Sequence, residues 1–359
     1  MPLFKSTSAA AAAAVLLAAA PISHHPSGEP ITDDSTLMPG TKSGSPLDDL
    51  PVGSQLVSSF GERPVFSPDG RKIAFIGQSY GDAFEYDLRT GTVRNLTAHM
   101  PHKGFLRVHY LRDGSFLLLG PHEPAADREV TRFGRIELWW MDANASSPAQ
   151  RLGVTVSEGL ATSRERNRIA WAELPPGETG TKAFATAKTT MKTADVVIAG
   201  GKARLANVQE VMTSADVPGC AFEAQDLLPG DRGLTFPCYA RVGRVMAIDF
   251  ATRKVTTYPT PEHLYDEVEG IFPDGRRTLV ECSGDHEAGM DLCVLDLDPT
   301  RPSYRRVTHA MDYGRWKFGN PVVSPDGRTI ATQIGKAGES KADTGAGQGI
   351  VLIRLPADF

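Results

Sequence analysis

A chain of 359 residues, 41% apolar and 23% charged, with a formal net charge of −5, has the composition of a soluble globular protein. Its mild acidity concentrates no Lys and Arg for phosphate, which excludes a nucleic-acid reading, and it offers no basic amphipathic stretch for a membrane surface. The 35 glycines and 26 prolines are spread along the chain, which suits many short strands joined by tight turns.

The N-terminus reads as an export signal over residues 1–20. Lys5 supplies a positive start, Ala9–Ala20 with Val15, Leu16 and Leu17 an apolar stretch, and small residues near Ala19–Ser23 a cleavage region. That stretch is far shorter than the roughly 20 residues needed to span a bilayer, so a secreted or periplasmic protein without a membrane span is expected. Residues 21–51 are rich in Ser, Pro, Gly and Asp without apolar periodicity and read as a flexible linker. The folded domain is expected over residues 52–359.

A repeated hairpin decides the fold class. Phe66-Ser67-Pro68-Asp69-Gly70-Arg71-Lys72-Ile73-Ala74 is nearly duplicated by Val323-Ser324-Pro325-Asp326-Gly327-Arg328-Thr329-Ile330-Ala331, and Phe272-Pro273-Asp274-Gly275-Arg276 is a third copy. Degenerate copies follow at Leu111–Leu117, Ser163–Trp171 and Leu228–Thr235. Pro presets the first turn position, Asp caps the turn, and Gly supplies positive φ. A third strand follows in most units, as in Phe84–Leu88 and Val245–Asp249, and then a fourth, as in Val93–Leu96. Four strands recurring at roughly 40–50 residues form a propeller blade. The expectation is an all-β, six-bladed β-propeller with four-stranded blades, whose last blade takes Val52–Ser59 as its missing outer strand. The third unit carries a long insertion from Pro175 to Thr193.

Four cysteines suit an oxidising compartment. Cys220 and Cys238 flank one hairpin and Cys282 and Cys293 another, so two cross-strand disulfides are expected. Neither pair has Cys-x-x-Cys spacing for zinc. Asn95 and Asn144 open Asn-x-Ser/Thr sequons that would accept glycans in a eukaryotic host.

These units resemble the repeats of TolB-like propellers from about Val52 onward. TolB itself carries an N-terminal α/β domain, where this chain has only the signal-like segment and the linker, so the resemblance does not imply the Tol–Pal envelope role. Similar repeats occur in oligogalacturonate lyases and other secreted carbohydrate-active proteins, and in the gating domains of prolyl oligopeptidase-type peptidases. No Gly-x-Ser-x-Gly elbow accompanies them here. The motif speaks for fold and leaves function to the site.

Segments leading into the innermost strands cluster at one channel mouth. There the sequence places Glu62, Arg63, Arg107, Glu158, Glu223, Lys317 and Asn320 as ligand-binding candidates. His102, Tyr265 and Glu269 are the acid/base candidates. In lyase chemistry on a uronic acid, His102 or Tyr265 would take the α-proton while a cation neutralises the carboxylate. The bland reading has these groups satisfying exposed backbone donors. His99-x-x-His102 with His109 and His122 raises a divalent metal, as in the His-ligated ion of oligogalacturonate lyases, but the spacing matches no specific motif and no ligand set is assigned. Trp139-Trp140 reads as blade packing. The functional expectation is a monomeric exported propeller binding a small polar or saccharide ligand, with lyase or hydrolase activity as its enzymatic form. The alternative is a non-catalytic scaffold that binds a protein partner across the same mouth.

Overall fold

The computed structural model describes residues 29–30, 37–186, 188–239, 244–262, 264–301, 303–337, 348–356 and 359. The expected signal segment and most of residues 21–36 lie outside the described residues. The chain forms a six-bladed β-propeller in which each blade is an antiparallel sheet. The innermost strands are Glu62–Phe66, Arg107–Tyr110, Leu160–Thr162, Asp226–Leu227, Tyr265–Ile271 and Trp316–Val323, for blades 1 to 6 in order. In the last blade Gln55–Ser58 pairs antiparallel with Ile350–Arg354, Gln55 facing Leu352 and Leu56 facing Val351. The fifth blade carries an additional outer strand, Glu29–Pro30, paired with Tyr304–Arg306.

The repeat explains the blades chemically. In blade 1 the Gly70 amide donates to the Ser67 carbonyl (2.9 Å), the Ser67 hydroxyl to Asp69 (2.7 Å), and the Arg71 amide to the same carboxylate (3.1 Å). Blade 6 repeats this with Ser324, Asp326 and Arg328. The serine hydroxyls hold the Asp69 and Asp326 carboxyls below the usual range. The glycine has a second task. A side chain on Gly275 (φ 66) would lie 2.6 Å from the Pro229 ring, one on Gly327 would meet Pro273, and one on Gly70 would meet Pro325. The prolines of blades 4, 5 and 6 thus seat on the glycines of blades 5, 6 and 1. Where the repeat degenerates, polar contacts replace this seat: Gly230 donates to Glu165, Arg166 pairs with Asp231 (2.7 Å), and Asp113 donates to Asn167. Gly275→Ala, which meets both a left-handed backbone and that proline, is expected to cost about 1–3 kcal/mol, read as a lowered denaturant midpoint with an unchanged slope.

Apolar side chains fill the spaces between blades. Trp171 lies between blades 2 and 3 against Leu117, Leu119, Ile136 and Leu138. Trp140 is buried with its indole N–H on Ser115, and Trp139 donates to the Gly120 carbonyl. Both disulfides form, Cys220–Cys238 with Cα atoms 5.0 Å apart and Cys282–Cys293 at 5.9 Å.

Two features differ from the sequence reading. Residues 37–51 are docked rather than free. Leu37 is fully buried beside Val280 and Leu295, Leu47 and Leu50 pack on blade 6, and the Gly40 amide donates to the Met311 carbonyl (2.7 Å). The few scattered apolar residues of this stretch show no periodicity, yet Leu37, Leu47 and Leu50 each find a pocket. Secondly, two short helices stand outside the blade repeat. Helix α1 (Arg128–Arg132) is capped by Asp127, and helix α2 (Gly180–Thr186) occupies the insertion of blade 3. They meet through stacked Phe133 and Phe184, ring centroids 4.4 Å apart. Among the described residues no helix is long and apolar enough to cross a membrane.

Candidate functional site

The channel ring is built by residues that leave the extended conformation. Arg63 (φ 54) near the start of innermost strand 1, Glu158 (φ 68) just before strand 3 and Asn320 (φ 46) within strand 6 are left-handed. Ladder irregularities mark strands 1 and 6 at these points, between Glu62 and Val65 and between Gly319 and Val322. Such backbone costs about 1–3 kcal/mol per residue and persists only when neighbours fix it. Here the preceding blade does so: the Arg63 amide donates to Gln333 Oε1 (2.7 Å) and the Asn320 amide to Glu281 Oε1.

One side of the ring is cationic. Glu158, 4% exposed, accepts both Nε and Nη2 of Arg132 from α1, and faces Arg63 at 3.8 Å and Arg107 at 3.6 Å. Burial opposes its charge, but Arg132, Arg63 and Arg107 together hold the carboxyl at about 2. Arg107 also donates to Asn320 Oδ1 (3.1 Å). Arg63 donates to Ser79 Oγ (2.9 Å), whose hydroxyl reaches Glu62 (2.9 Å).

The other side is acidic. Tyr239 donates to Glu223 and contacts Glu267, which also accepts the Tyr265 hydroxyl. Gln225 donates to Glu269 (2.6 Å). Burial first and neighbouring carboxylates second push Glu223 and Glu269 well above the usual range, and Glu281 to about 8. Glu223, fully buried, keeps one oxygen without a hydrogen bond. Lys317 lies beside Glu281, and burial lowers its pKa. One carboxyl pulled down by arginines beside others pushed up by burial is how a site separates acid from base at a single pH.

A cavity of about 410 Å³ runs along the channel from this ring to the hairpin turns. Arg63, Arg107, Gln225, Glu269 and Asn320 line its inner end; Arg112, Glu165, Pro273 and Pro325, all exposed turn residues, line its outer end. The cavity therefore opens on the turn face, where the sequence reading put the site at the opposite mouth. The reason is pairing: Glu62, Arg63, Glu158, Glu223, Glu269, Lys317 and Asn320 are all buried and bind one another or their neighbours.

Seven of the ten candidates, Glu62, Arg63, Arg107, Glu158, Glu223, Glu269 and Asn320, come together around the channel. Lys317 and Tyr265 stand on the acidic side, away from the cavity lining. Tyr265, mostly buried beside Glu267, is held well above the usual phenol range, which makes it a poor base. His102 is elsewhere: its Nε2 contacts Asp82 (2.9 Å), its Nδ1 accepts the Gly104 amide, and its ring packs on Phe105. The four histidines separate, His109 to the channel wall and His122 to Trp139. Among the described residues no group of three or more His, Cys, Asp or Glu is placed to hold a metal ion.

Sequence reasoning missed Arg132, Gln225, Tyr239 and Glu281. Arg132 and Tyr239 lie outside the aligned turns, so the repeat gives them no register. Glu281 carried a usable signal, a lone carboxylate inside the apolar strand Arg277–Ser283.

No protein-family model matches the chain, and no curated protein is similar to it in sequence. Solved structures are similar in shape. A gluconolactonase from Xanthomonas campestris matches over 93% of this chain and 99% of its own, at 12% identity and TM-score 0.55. An oligogalacturonate lyase from Vibrio parahaemolyticus matches over 85% and 94%, at 13% identity and TM-score 0.51. TolB from Acinetobacter baumannii is matched over 81% of this chain and 62% of that one, at 10% identity and TM-score 0.49. What they share with this chain is the fold. The gluconolactonase and the lyase share the propeller fold at identities too low to carry chemistry from one member to another.

Proposed function

We propose that this propeller is exported and binds a small sugar acid in its channel, acting on it by acid/base chemistry. The observation that carries the reading is the inner end of the cavity, lined by Arg63, Arg107 and a Glu269 whose carboxyl burial pushes well above the usual range. A planar guanidinium receives a carboxylate with two parallel hydrogen bonds. Arg107 keeps its Nε free of partners while Nη1 holds Asn320. Glu269, oriented by Gln225, then donates a proton to an oxygen of the ligand, while Glu158 stays ionised and fixes the arginines. Two disulfides support an oxidising compartment. The exposed sequons at Asn95 and Asn144 are compatible with export.

Titration calorimetry with D-galacturonate is the test. Binding is expected for the wild-type chain, a loss of more than tenfold in affinity for Arg107→Met, and retained binding with lost turnover of oligogalacturonate for Glu269→Gln. Equal affinity of wild type and Arg107→Met contradicts the assignment.

A further inference from the structure

Below the charged ring the channel has a second belt, which the repeat itself defines. Three residues before the turn position Pro68 stands Val65. The same offset from Arg112, Pro229, Pro273 and Pro325 gives His109, Asp226, Gly270 and Val322; in blade 3 the offset from Arg164 falls on buried Ala161, and its neighbour Thr162 faces the cavity instead. All six line the cavity, one from each blade. The five side chains among them are only half-buried, unlike the fully buried Phe66, Tyr110 and Val323 that follow Val65, His109 and Val322. Their remaining exposure is to the channel.

The belt is chemically one-sided. Blades 2, 3 and 4 contribute an imidazole, a hydroxyl and a carboxyl in succession, while blades 5, 6 and 1 contribute a glycine and two valines. His109 Nε2 is buried without a hydrogen-bond partner. Burial and the nearby Arg107 guanidinium keep its ring neutral, at about 3, so that it can accept or donate a single hydrogen bond. Asp226 Oδ2 receives the Ile271 amide (2.9 Å) and Arg164 (3.4 Å), which fixes the carboxyl at the wall. A solvated loop residue needs no such anchoring. His109 lines the cavity, and its unpartnered nitrogen is a cost that a hydrogen-bonding partner would remove.

We infer that His109, Thr162 and Asp226 form the hydroxyl-reading subsite for a ligand that enters from the turn face, with its apolar side toward Val65 and Val322. A pyranose matches this wall: hydroxyls along one edge, C–H groups across a face. The inference rests on the sugar-acid reading, in which Arg63 and Arg107 hold the carboxylate one layer deeper. It adds the groups that distinguish a hydroxylated ring from a bare one. A site built to hydrogen-bond a hydroxyl discriminates strongly against an analogue that lacks it, because its own polar groups are then left unpaired.

The test compares two probes of the same ring size, D-galacturonate and cyclohexanecarboxylate, by calorimetry on the full chain. Wild type is expected to prefer galacturonate by at least tenfold. Thr162→Val, nearly isosteric and therefore safe for folding, is expected to weaken galacturonate about fivefold or more and to leave cyclohexanecarboxylate unchanged, and His109→Leu to act in the same direction. If both variants keep the wild-type ratio while Arg107→Met weakens both probes, the belt assignment is overturned and the carboxylate site stands. If neither probe binds the wild-type chain, the sugar-acid reading fails and the belt falls with it.

Discussion

Glu158→Gln is expected to destabilise the propeller by about 3–5 kcal/mol, the cost of removing one partner from a buried ion pair. Glu158 is nearly fully buried, and Arg63, equally buried, faces it across the channel. A glutamine preserves the volume and tolerates the left-handed backbone about as well, so the loss isolates the charge. Burial already lowers the Arg63 pKa; without Glu158 that guanidinium would face Arg107 and Arg132 with only Glu62 at 4.0 Å in compensation. Arg132→Gln is expected to cost much less. Its side chain is about a fifth exposed on a short helix, and the carboxylate it leaves behind retains two arginines. Denaturant titration of both variants checks the contrast. Equal losses would mean that α1, rather than the ring, holds this part of the molecule.

The second large effect is on pH. A carboxyl raised by burial favours the folded chain only while it is protonated. Glu281 moves from the ordinary 4.5 to about 8, and Glu223 and Glu269 move in the same direction. Between about pH 4.5 and 8 the unfolded chain ionises Glu281 and the folded chain does not, so stability drains as pH rises through that window, and Glu223 and Glu269 add to it with the same sign. Glu158 has the opposite sign: its contribution is complete above the ordinary 4.5 and is lost as pH falls toward about 2. Thermal melts should therefore show a maximum near pH 5 and a decline toward pH 8. Glu281→Gln, which cannot ionise, is expected to flatten the decline, gaining about 1–3 kcal/mol over wild type at pH 8 and nothing at pH 4.5. A melting temperature that rises steadily to pH 8 contradicts the assignment of these carboxyls as neutral.

The sequence discloses the ring of blades and the identity of most channel residues for one reason. The hairpin turn is local chemistry, and it fixes the phase of the innermost strand that precedes it. Glu62 and Glu158 are found by counting from that turn, with Glu269 and Asn320 within a residue or two, and both disulfides by noting which cysteines share a hairpin. Accessibility is not local. Whether the charged ring meets water depends on Arg132 from α1, on Tyr239 after a strand end, and on Glu281 from a neighbouring strand, none of which the turn register reaches. The histidines show the same limit. Sequence spacing groups His99, His102, His109 and His122, but strand phase sends His109 to the channel wall, while His102 turns to Asp82. The docked segment 37–51 fails for a related reason: Leu37, Leu47 and Leu50 are too sparse to form a pattern, and each is placed by a pocket on a distant blade.

The central claim is that the channel, approached from the turn face, holds a sugar acid by its carboxylate. A crystal structure of the chain soaked with D-galacturonate tests it most directly. The ligand is expected inside the channel, its carboxylate within hydrogen-bond distance of Arg107 and its hydroxyls toward His109, Thr162 and Asp226. A ligand bound only outside the channel, or a channel still holding only water at saturating ligand, would contradict it.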